Sequence, residues 1–278
     1  TLSGASRTHF GSWNNALTEA GIPLLQVVRK ELTEEMKNDS FELGYILGTL
    51  NGDGCISFNK PTNGFVSRLN VIDEDFADYF FDIFNKWSNH LPKKRINFQN
   101  QNIFFEIKFY GKQINQFLKE YNLDYIKLSS DEMKKGFLKG MFDSEGMMGI
   151  HNLHDRKKAH RSIRFYNTDQ QIISIMQSLL NYFNIKHSTK YRQGRGFKNS
   201  KFYEIVIMGK HNFEWFRDNI GFSIQRKQDK LVVAIESFKS LERICIDCNT
   251  SFQSVKNKFS HQETRCRGCY AVHSKNYH

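Results

Sequence analysis

Tyr45-Ile-Leu-Gly-Thr-Leu-Asn-Gly-Asp-Gly54 and Phe137-Leu-Lys-Gly-Met-Phe-Asp-Ser-Glu-Gly146 repeat one pattern: an apolar run, broken by small residues, that closes with an acid and a glycine. In the first copy Gly44, Gly48 and Gly52 recur every four residues, and in the second Gly136, Gly140 and Ser144 do the same. On a helix this spacing sets all three on one face. A glycine inside a helix costs about 1 kcal/mol against alanine, so something must offset the penalty. Another helix approaching almost to backbone contact would do so. If the two helices pack on each other, Asp53 and Glu145 finish side by side, and two carboxylates at helix ends make a divalent-metal site.

The chain has 278 residues, enough for two domains or one large one with an ample core. Only three prolines are present, which argues against long disordered linkers. The formal charge is +11 and the pI about 9.3. An excess of this size points first to a polyanionic partner, of which nucleic acid is the commonest; a generically basic protein is the alternative. No apolar run approaches the roughly 18 residues that span a bilayer, so no membrane partner is expected. Nor does the N-terminus, which begins at Thr1, read as a secretory signal.

Between Asp39 and about Lys239 the chain contains an internal repeat. Both motif helices open on capping-box chemistry, Asp39 with Glu42 and Ser129 with Glu132. Strand-like segments follow: Cys55–Asn59 and Phe65–Ile72 in the first copy, Met147–Leu153 and Arg161–Asn167 in the second. Next come amphipathic helices, Asp73–Phe84 and Asp169–Leu180. A second hairpin closes each copy, Arg95–Gln99 with Ile103–Tyr110, and His187–Arg192 with Phe202–Met208. Even Phe105-Glu-Ile-Lys-Phe-Tyr-Gly-Lys112 aligns with Tyr203-Glu-Ile-Val-Ile-Met-Gly-Lys210. Each copy therefore reads α-β-β-α-β-β-α.

A four-stranded antiparallel sheet covered by helices on one face leaves the other open. Polar and basic residues are expected there: Arg68 and Asn70, Arg95 and Asn97, Arg161 and Arg164, Lys190 and Arg192. Two such sheets side by side would form a basic saddle, and antiparallel ribbons can read base edges in the major groove. A merely solvated face would be polar as well. Two loops extend the basic surface. One holds His151, His154 and His160 amid Arg156, Lys157 and Lys158; the other is Arg192-Gln-Gly-Arg-Gly-Phe-Lys198, with Arg195 and Lys198 as DNA contacts. The histidines lack the partners of a ββα-metal nuclease.

With both motifs inside a duplicated frame, the central 200 or so residues resemble the single-chain LAGLIDADG homing endonucleases. Ile46 to Gly54 and Leu138 to Gly146 match the nine-residue signature. The resemblance implies an α+β fold: a pseudo-twofold duplicated core forming a saddle of two antiparallel sheets, with the signature helices on the axis. It also implies a DNA-cleaving site where the C-terminal ends of those helices meet. The family's metal-binding acids fall on Asp53 and Glu145, with backbone oxygens of Gly52 and Ser144 beside them. Mg²⁺, or Mn²⁺, would serve catalysis and Ca²⁺ would be a non-catalytic substitute. Phosphodiester hydrolysis needs an activated water and neutralised charge, which divalent ions supply, and Mg²⁺ takes only one or two protein carboxylates. The catalytic lysines are placed at Lys127 and Lys227, before the next long helix in each half; Asn70, Asn167 and Gln225 could orient water. Asn51 departs from the signature where Asp143 keeps it, at a position that usually serves structure.

The ends of the chain add two smaller units. From Arg7 to Ile22 the sequence resembles the homing-endonuclease-associated repeat, with a cap at Ser12 and a stop at Gly21. Over residues 1–38 four basic side chains balance four glutamates, so a helical extension packed on the next domain is equally open. Cys245-x-x-Cys248 and Cys266-x-x-Cys269 have zinc-ribbon spacing, and four thiolates around structural Zn²⁺ can close so small a unit. Two disulfides are the alternative. Six basic residues against two acidic ones over residues 243–278 suggest a DNA-contacting finger, a cap on the C-terminus being the other reading.

The expected organisation is a helical N-terminal segment (1–38), two LAGLIDADG halves (39–127 and 128–241) and a four-cysteine zinc finger (242–278). The expected function is a monomeric, site-specific double-strand DNA endonuclease making a staggered cut across the minor groove and promoting intron mobility. The alternative on the same fold is a maturase bound to its host group I intron RNA, or a non-cleaving DNA-binding regulator. Cysteine usage suits an intracellular, reducing compartment: a bacterial or phage-infected cytoplasm, or an organelle.

Overall fold

The computed structural model describes residues 8–21, 31–60, 63–99, 102–151, 160–193, 201–238 and 241–254, together with Cys266 and Cys269. A short helix α1 (Trp13–Glu19) comes first, its cap hydroxyl at Ser12 accepting from Asn15 N at 3.1 Å. The first repeat is α2 (Phe41–Asn51), β1 (Gly54–Asn59), β2 (Gly64–Val71), α3 (Glu74–Ser88), β3 (Lys93–Gln99), β4 (Asn102–Tyr110) and α4 (Lys112–Glu120). A 3-10 turn at Leu123–Lys127 leads to the second: α5 (Asp131–Glu145), β5 (Gly146–His151), β6 (His160–Asn167), α6 (Gln170–Tyr182), β7 (His187–Gln193), β8 (Lys201–Ile207) and α7 (Lys210–Asn219). Helix α8 (Gln225–Glu236) follows, and then the hairpin β9 (Leu241–Ile244) and β10 (Ser251–Ser254).

Both four-stranded sheets are antiparallel, with orders β1-β2-β4-β3 and β5-β6-β8-β7. The repeated order is the expected duplication. On the helix-covered side, alternate strand residues such as Leu69, Ile107, Ile163, Phe165 and Ile205 are buried. Phenylalanine does much of the filling: Phe76, Phe80, Phe84, Phe137, Phe142, Phe213 and Phe216 are at most 1% exposed. Full burial of such a ring contributes about 1.5–3 kcal/mol. Among the described residues no helix is long and apolar enough to cross a membrane.

The two halves meet along α2 and α5, and the small residues are what let them meet. A Cβ added at Gly44 would lie 2.1 Å from Met133 O, and one at Gly136 would lie 2.1 Å from Phe41 O. Gly48 faces Phe137 O and Gly140 faces Tyr45 O in the same manner, at 2.5 and 2.4 Å. Every residue in these pairs has its counterpart 92 positions on, so the seam carries a twofold axis in its backbone contacts. No side chain fits between the helices at those points.

The helix starts differ from the capping boxes read in the sequence. The caps are one residue later, where Ser40 Oγ accepts from Leu43 N (3.1 Å) and Ser130 Oγ from Met133 N (3.3 Å). Asp39 instead accepts from Ser130 N at 2.8 Å, and Ser129 Oγ donates to Ile126 O at 2.8 Å. Asp39 thus ties the start of one seam helix to the other, which a local pattern does not reveal.

Gly44→Ala or Gly136→Ala should cost about 1–3 kcal/mol, since a backbone carbonyl must shift to admit an inserted methyl. Gly149→Ala meets nothing closer than 3.5 Å and should be close to neutral. Chemical denaturation of the three variants checks this; a Gly44→Ala protein as stable as the parent would refute the close seam.

Candidate active site and nucleic-acid interface

At the C-terminal ends of α2 and α5 the seam closes on Gly52 and Ser144: a Cβ on Gly52 would lie 2.4 Å from Ser144 Cβ. The next residues are Asp53 and Glu145, so the seam delivers the two acids together. Burial pushes the Glu145 carboxyl up from its ordinary pKa, the Asp53 charge pushes it further, and Lys227 draws it back. Asp53 is raised too, first by loss of surrounding water and then by Asp73, with Lys227 again opposing. Both acids also sit at helix C-termini, where the backbone dipole is negative. An all-oxygen donor set with this excess of negative charge fits a divalent cation such as Mg²⁺.

Lys227 is held at the same place. Its Nζ donates to Asp143 O at 2.6 Å and to Phe142 O at 3.4 Å, capping the last turn of α5. Burial lowers its pKa, while the charges of Asp143, Asp53 and Asp73 favour the ammonium form. The N-terminus of α8 that carries it is clasped to the first repeat: Arg226 Nε and Nη2 each reach Asp73 at 2.7 Å, and Gln225 N donates to Asp75.

Asp143 explains why the signature acid persists in one copy only. It is fully buried, accepting from Ser223 N and Ser223 Oγ at 2.8 Å each and from Tyr45 Oη at 3.2 Å, with Lys139 Nζ 3.5 Å away. It pins α5 to the loop before α8. Asn51, its counterpart, only donates back to Leu47 O at 2.8 Å.

Four of the expected residues fall elsewhere. Lys127 does not reach the acids: it precedes α5, whose 15 residues separate it from Glu145 by about 20 Å of helix. It pairs with Asp124 at 2.8 Å instead. Arg161 is not on the open face. It lies an odd number of residues from Arg164, so the pleat turns them to opposite sides. Arg161 Nη2 donates to Ser237 O at 3.0 Å, Nε donates to Ser237 Oγ, and the guanidinium stacks on Phe238 at 4.4 Å. Asn167 likewise faces the helices, accepting from Asp169 N at 2.8 Å. Gln225 is engaged with Asp229 at 2.7 Å.

Strand register places Arg68, Asn70, Arg95 and Asn97 together on the open face of the first sheet, and Arg164, Lys190 and Arg192 on that of the second. Arg195, Lys198 and the loop from His154 to Lys158 lie outside the described residues. Two acids share these faces unannounced by the sequence reading, Glu106 and Glu204, buried beneath the basic side chains. The aligned Phe105-Glu-Ile and Tyr203-Glu-Ile were their signal.

Residues 132–221 match the family described as a LAGLIDADG-like domain. The second half of the chain therefore carries a LAGLIDADG-like domain. The fold of the chain, with two helices on a pseudo-twofold seam and two four-stranded antiparallel sheets, is that of the LAGLIDADG homing endonucleases. The homing endonuclease I-WcaI, solved bound to its DNA recognition sequence, superposes with a TM-score of 0.51 at 15% identity, over 74% of this chain and 93% of that one. In sequence, the chain is similar to two uncharacterised proteins of Methanocaldococcus jannaschii. One is 23% identical over 206 residues, covering 70% of this chain and 72% of the relative. The other is 29% identical over 168 residues, and the match spans 58% of this chain and 61% of that relative's length.

The four C-terminal cysteines converge. Their sulfurs all lie within 4.8 Å of one another, and Cys248 Sγ to Cys266 Sγ is 3.7 Å. Tetrahedral Zn²⁺ with bonds of about 2.3 Å sets its sulfurs about 3.8 Å apart, so the cage fits that ion. Burial pushes the Cys245 thiol up, but the backbone amides of Cys266, Asp247 and Cys248 outweigh it and bring it down to about 6. Hairpin β9–β10 presents the first pair, with Cys245 N donating to Thr250 O at 2.9 Å.

Two outcomes follow from these groups. The purified protein should carry about one zinc per chain by elemental analysis, and Cys269→Ser should lose it; full retention of zinc by that variant would refute the cage. For the acids, a folded-state pKa above the unfolded one means that stability falls as pH rises through it. An Asp53→Asn/Glu145→Gln double variant should therefore melt higher than the parent at pH 7 without divalent cations. The difference should shrink as pH falls and vanish below about pH 3, where the parent's acids are protonated in both states. Mg²⁺ should raise the melting temperature of the parent alone.

Proposed function

We propose that this protein is a site-specific double-strand DNA endonuclease dependent on a divalent metal. The observation that carries the reading is the delivery of Asp53 and Glu145 to one point by a twofold helix seam, below two sheets whose open faces are basic. The DNA-bound state of I-WcaI supports duplex DNA as the partner of this fold.

In this reading each carboxylate serves one strand. Asp53 and Glu145, with backbone carbonyls of Gly52 and Ser144, would hold Mg²⁺ or Mn²⁺, and Ca²⁺ without turnover. When bound, the metal supplies an activated water and neutralises charge on the phosphate and leaving oxygen. Lys227 keeps a fixed ammonium beside both acids, where it stabilises negative charge that grows during hydrolysis. Its two carbonyl acceptors prevent it from collapsing onto a carboxylate. Arg68, Asn70, Arg95 and Asn97 would contact one half of the target, and Arg164, Lys190 and Arg192 the other, so an asymmetric duplex site is recognised by one chain acting as a monomer. The cut would be staggered across the minor groove, and cutting at one site is the step that intron mobility requires. The four-cysteine knuckle would add a zinc-stabilised contact module.

The test is cleavage of a plasmid library carrying randomised inserts, with Mg²⁺, followed by sequencing of the broken ends. The parent should return one recurring site. Asp53→Asn or Glu145→Gln should lower double-strand cutting of that site at least about a hundredfold while binding persists. Lys227→Met should slow cutting about 10²–10⁴-fold, and Lys127→Met should leave it unchanged. Undiminished cutting by either acid variant would overturn the mechanism; selective binding with no cutting by the parent would identify a non-cleaving regulator.

A further inference from the structure

The surface that must meet DNA contains two carboxylates that a polyanion-binding face has no use for as charge. Glu106 on β4 is 7% exposed and Glu204 on β8 is 3% exposed. They occupy one place in the repeat. Glu106 lies between Asn70 of β2 and Arg95 of β3, and Glu204 lies between Tyr166 of β6 and Lys190 of β7. On the strand beside each glutamate, an arginine precedes the opposed residue by two: Arg68 in the first sheet, Arg164 in the second. The two sheets have thus kept the same acid with the same arginine while most other open-face residues differ.

Around Glu204 the contacts are those of an orienting anchor. Glu204 Oε2 accepts from both Nε and Nη2 of Arg192 at 2.7 Å. Its Oε1 accepts from Tyr166 Oη at 3.3 Å and lies 3.6 Å from Arg164 Nη1. Arg164 Nε also donates to Ser162 Oγ at 2.9 Å. Among the described residues, neither Arg164 Nη2 nor Arg192 Nη1 has a partner: Arg192 is held along its Nε–Nη2 edge, Arg164 is tethered at Nε, and each keeps a donor to spare. Glu106 is 2.7 Å from Lys108 Nζ and 3.7 Å from Arg68 Nε, whose nitrogen is buried without a hydrogen-bond acceptor.

A negative charge here weakens attraction to phosphates and reduces counterion release. What it supplies is geometry. A long flexible arginine that is free on the surface seeks phosphates, which carry no sequence information. One whose fork is fixed before binding can meet the O6 and N7 of guanine, a contact that depends on orientation.

We propose that Glu106 and Glu204 are positioning residues for base recognition, one for each half of the target: Glu204 bonds Arg192 and lies beside Arg164 (second sheet), Glu106 lies beside Arg68 (first sheet), and their charges set these arginines in reading orientation, lowering general DNA affinity and raising discrimination. The inference rests on the DNA-cleaving reading above. It is tested by selecting bound duplexes from a randomised library with the full chain, Glu106→Gln and Glu204→Gln, alongside affinity for random-sequence duplex and thermal melting. Each variant should flatten base preference in one half of the selected site and leave the other half intact. The ratio of target to random affinity should fall about tenfold or more, while affinity for random duplex is unchanged or higher.

Folded variants that keep the parent's base preferences, or that lose target and random affinity by one common factor, would overturn the proposal. Should a glutamine variant fail to fold, Arg68→Lys and Arg164→Lys leave the acids in place and remove the fork. They must flatten the same half-sites, and retention of the preferences would be equally fatal. A parent chain that selects no sequence would instead refute the DNA reading itself, and this inference with it.

Discussion

The rest of the structure depends on two helices touching backbone to backbone. Where α2 crosses α5, Gly44 and Gly136 leave room for nothing larger than a hydrogen beside a carbonyl oxygen of the opposite helix. Each such glycine gives up roughly 1 kcal/mol of helix propensity. Dispersion across a gap-free interface, together with burial of Leu43, Ile46, Leu47, Phe137, Leu138 and Met141 on the flanks, offsets that loss. The crossing sets the pseudo-twofold axis and brings the two repeats, sheets included, together about it. It also aims two helix C-termini at one point, so the acids that follow Gly52 and Ser144 have no choice but to share a site.

Twofold symmetry in the seam does not extend to its chemistry. Asp143, Ser223 and Lys227 form a connected set on the second half only, tied across to the first half by Tyr45 and by the Arg226–Asp73 pair. The first half answers with Asn51, a residue bonded to its own helix, and with Lys127 at the far end of α5. The end of the seam therefore sets a symmetric pair of acids beside one buried lysine. A single chain can afford this difference, because each half evolves its own loops while the glycine faces remain matched.

Much of the fold was legible because its signals are periodic and local. Glycine at every fourth position, alternation in the strands and a repeat of about 92–98 residues each follow from helix and strand geometry. The same logic exposes the error at Arg161: strict parity separates it from Arg164, and its partners Ser237 and Phe238 lie 76 and 77 positions away. Composition marked the basic face, but could not show that Glu106 and Glu204 lie beneath it, since pairing across three strands decides which charges become neighbours.

By itself the sequence determined the duplicated α-β-β-α-β-β-α frame, the seam and the two acids, for these rest on spacing within single elements. Only the tertiary structure decided which lysine reaches the acids and why Asp143 is retained where Asn51 is not. Those outcomes depend on contacts between residues 80 or more positions apart, such as Asp143 with Ser223 and Lys227 with Phe142. The four-cysteine cluster stands between the two cases: the CxxC pairs announce it, but only the fold brings the four sulfurs within 4.8 Å of one another.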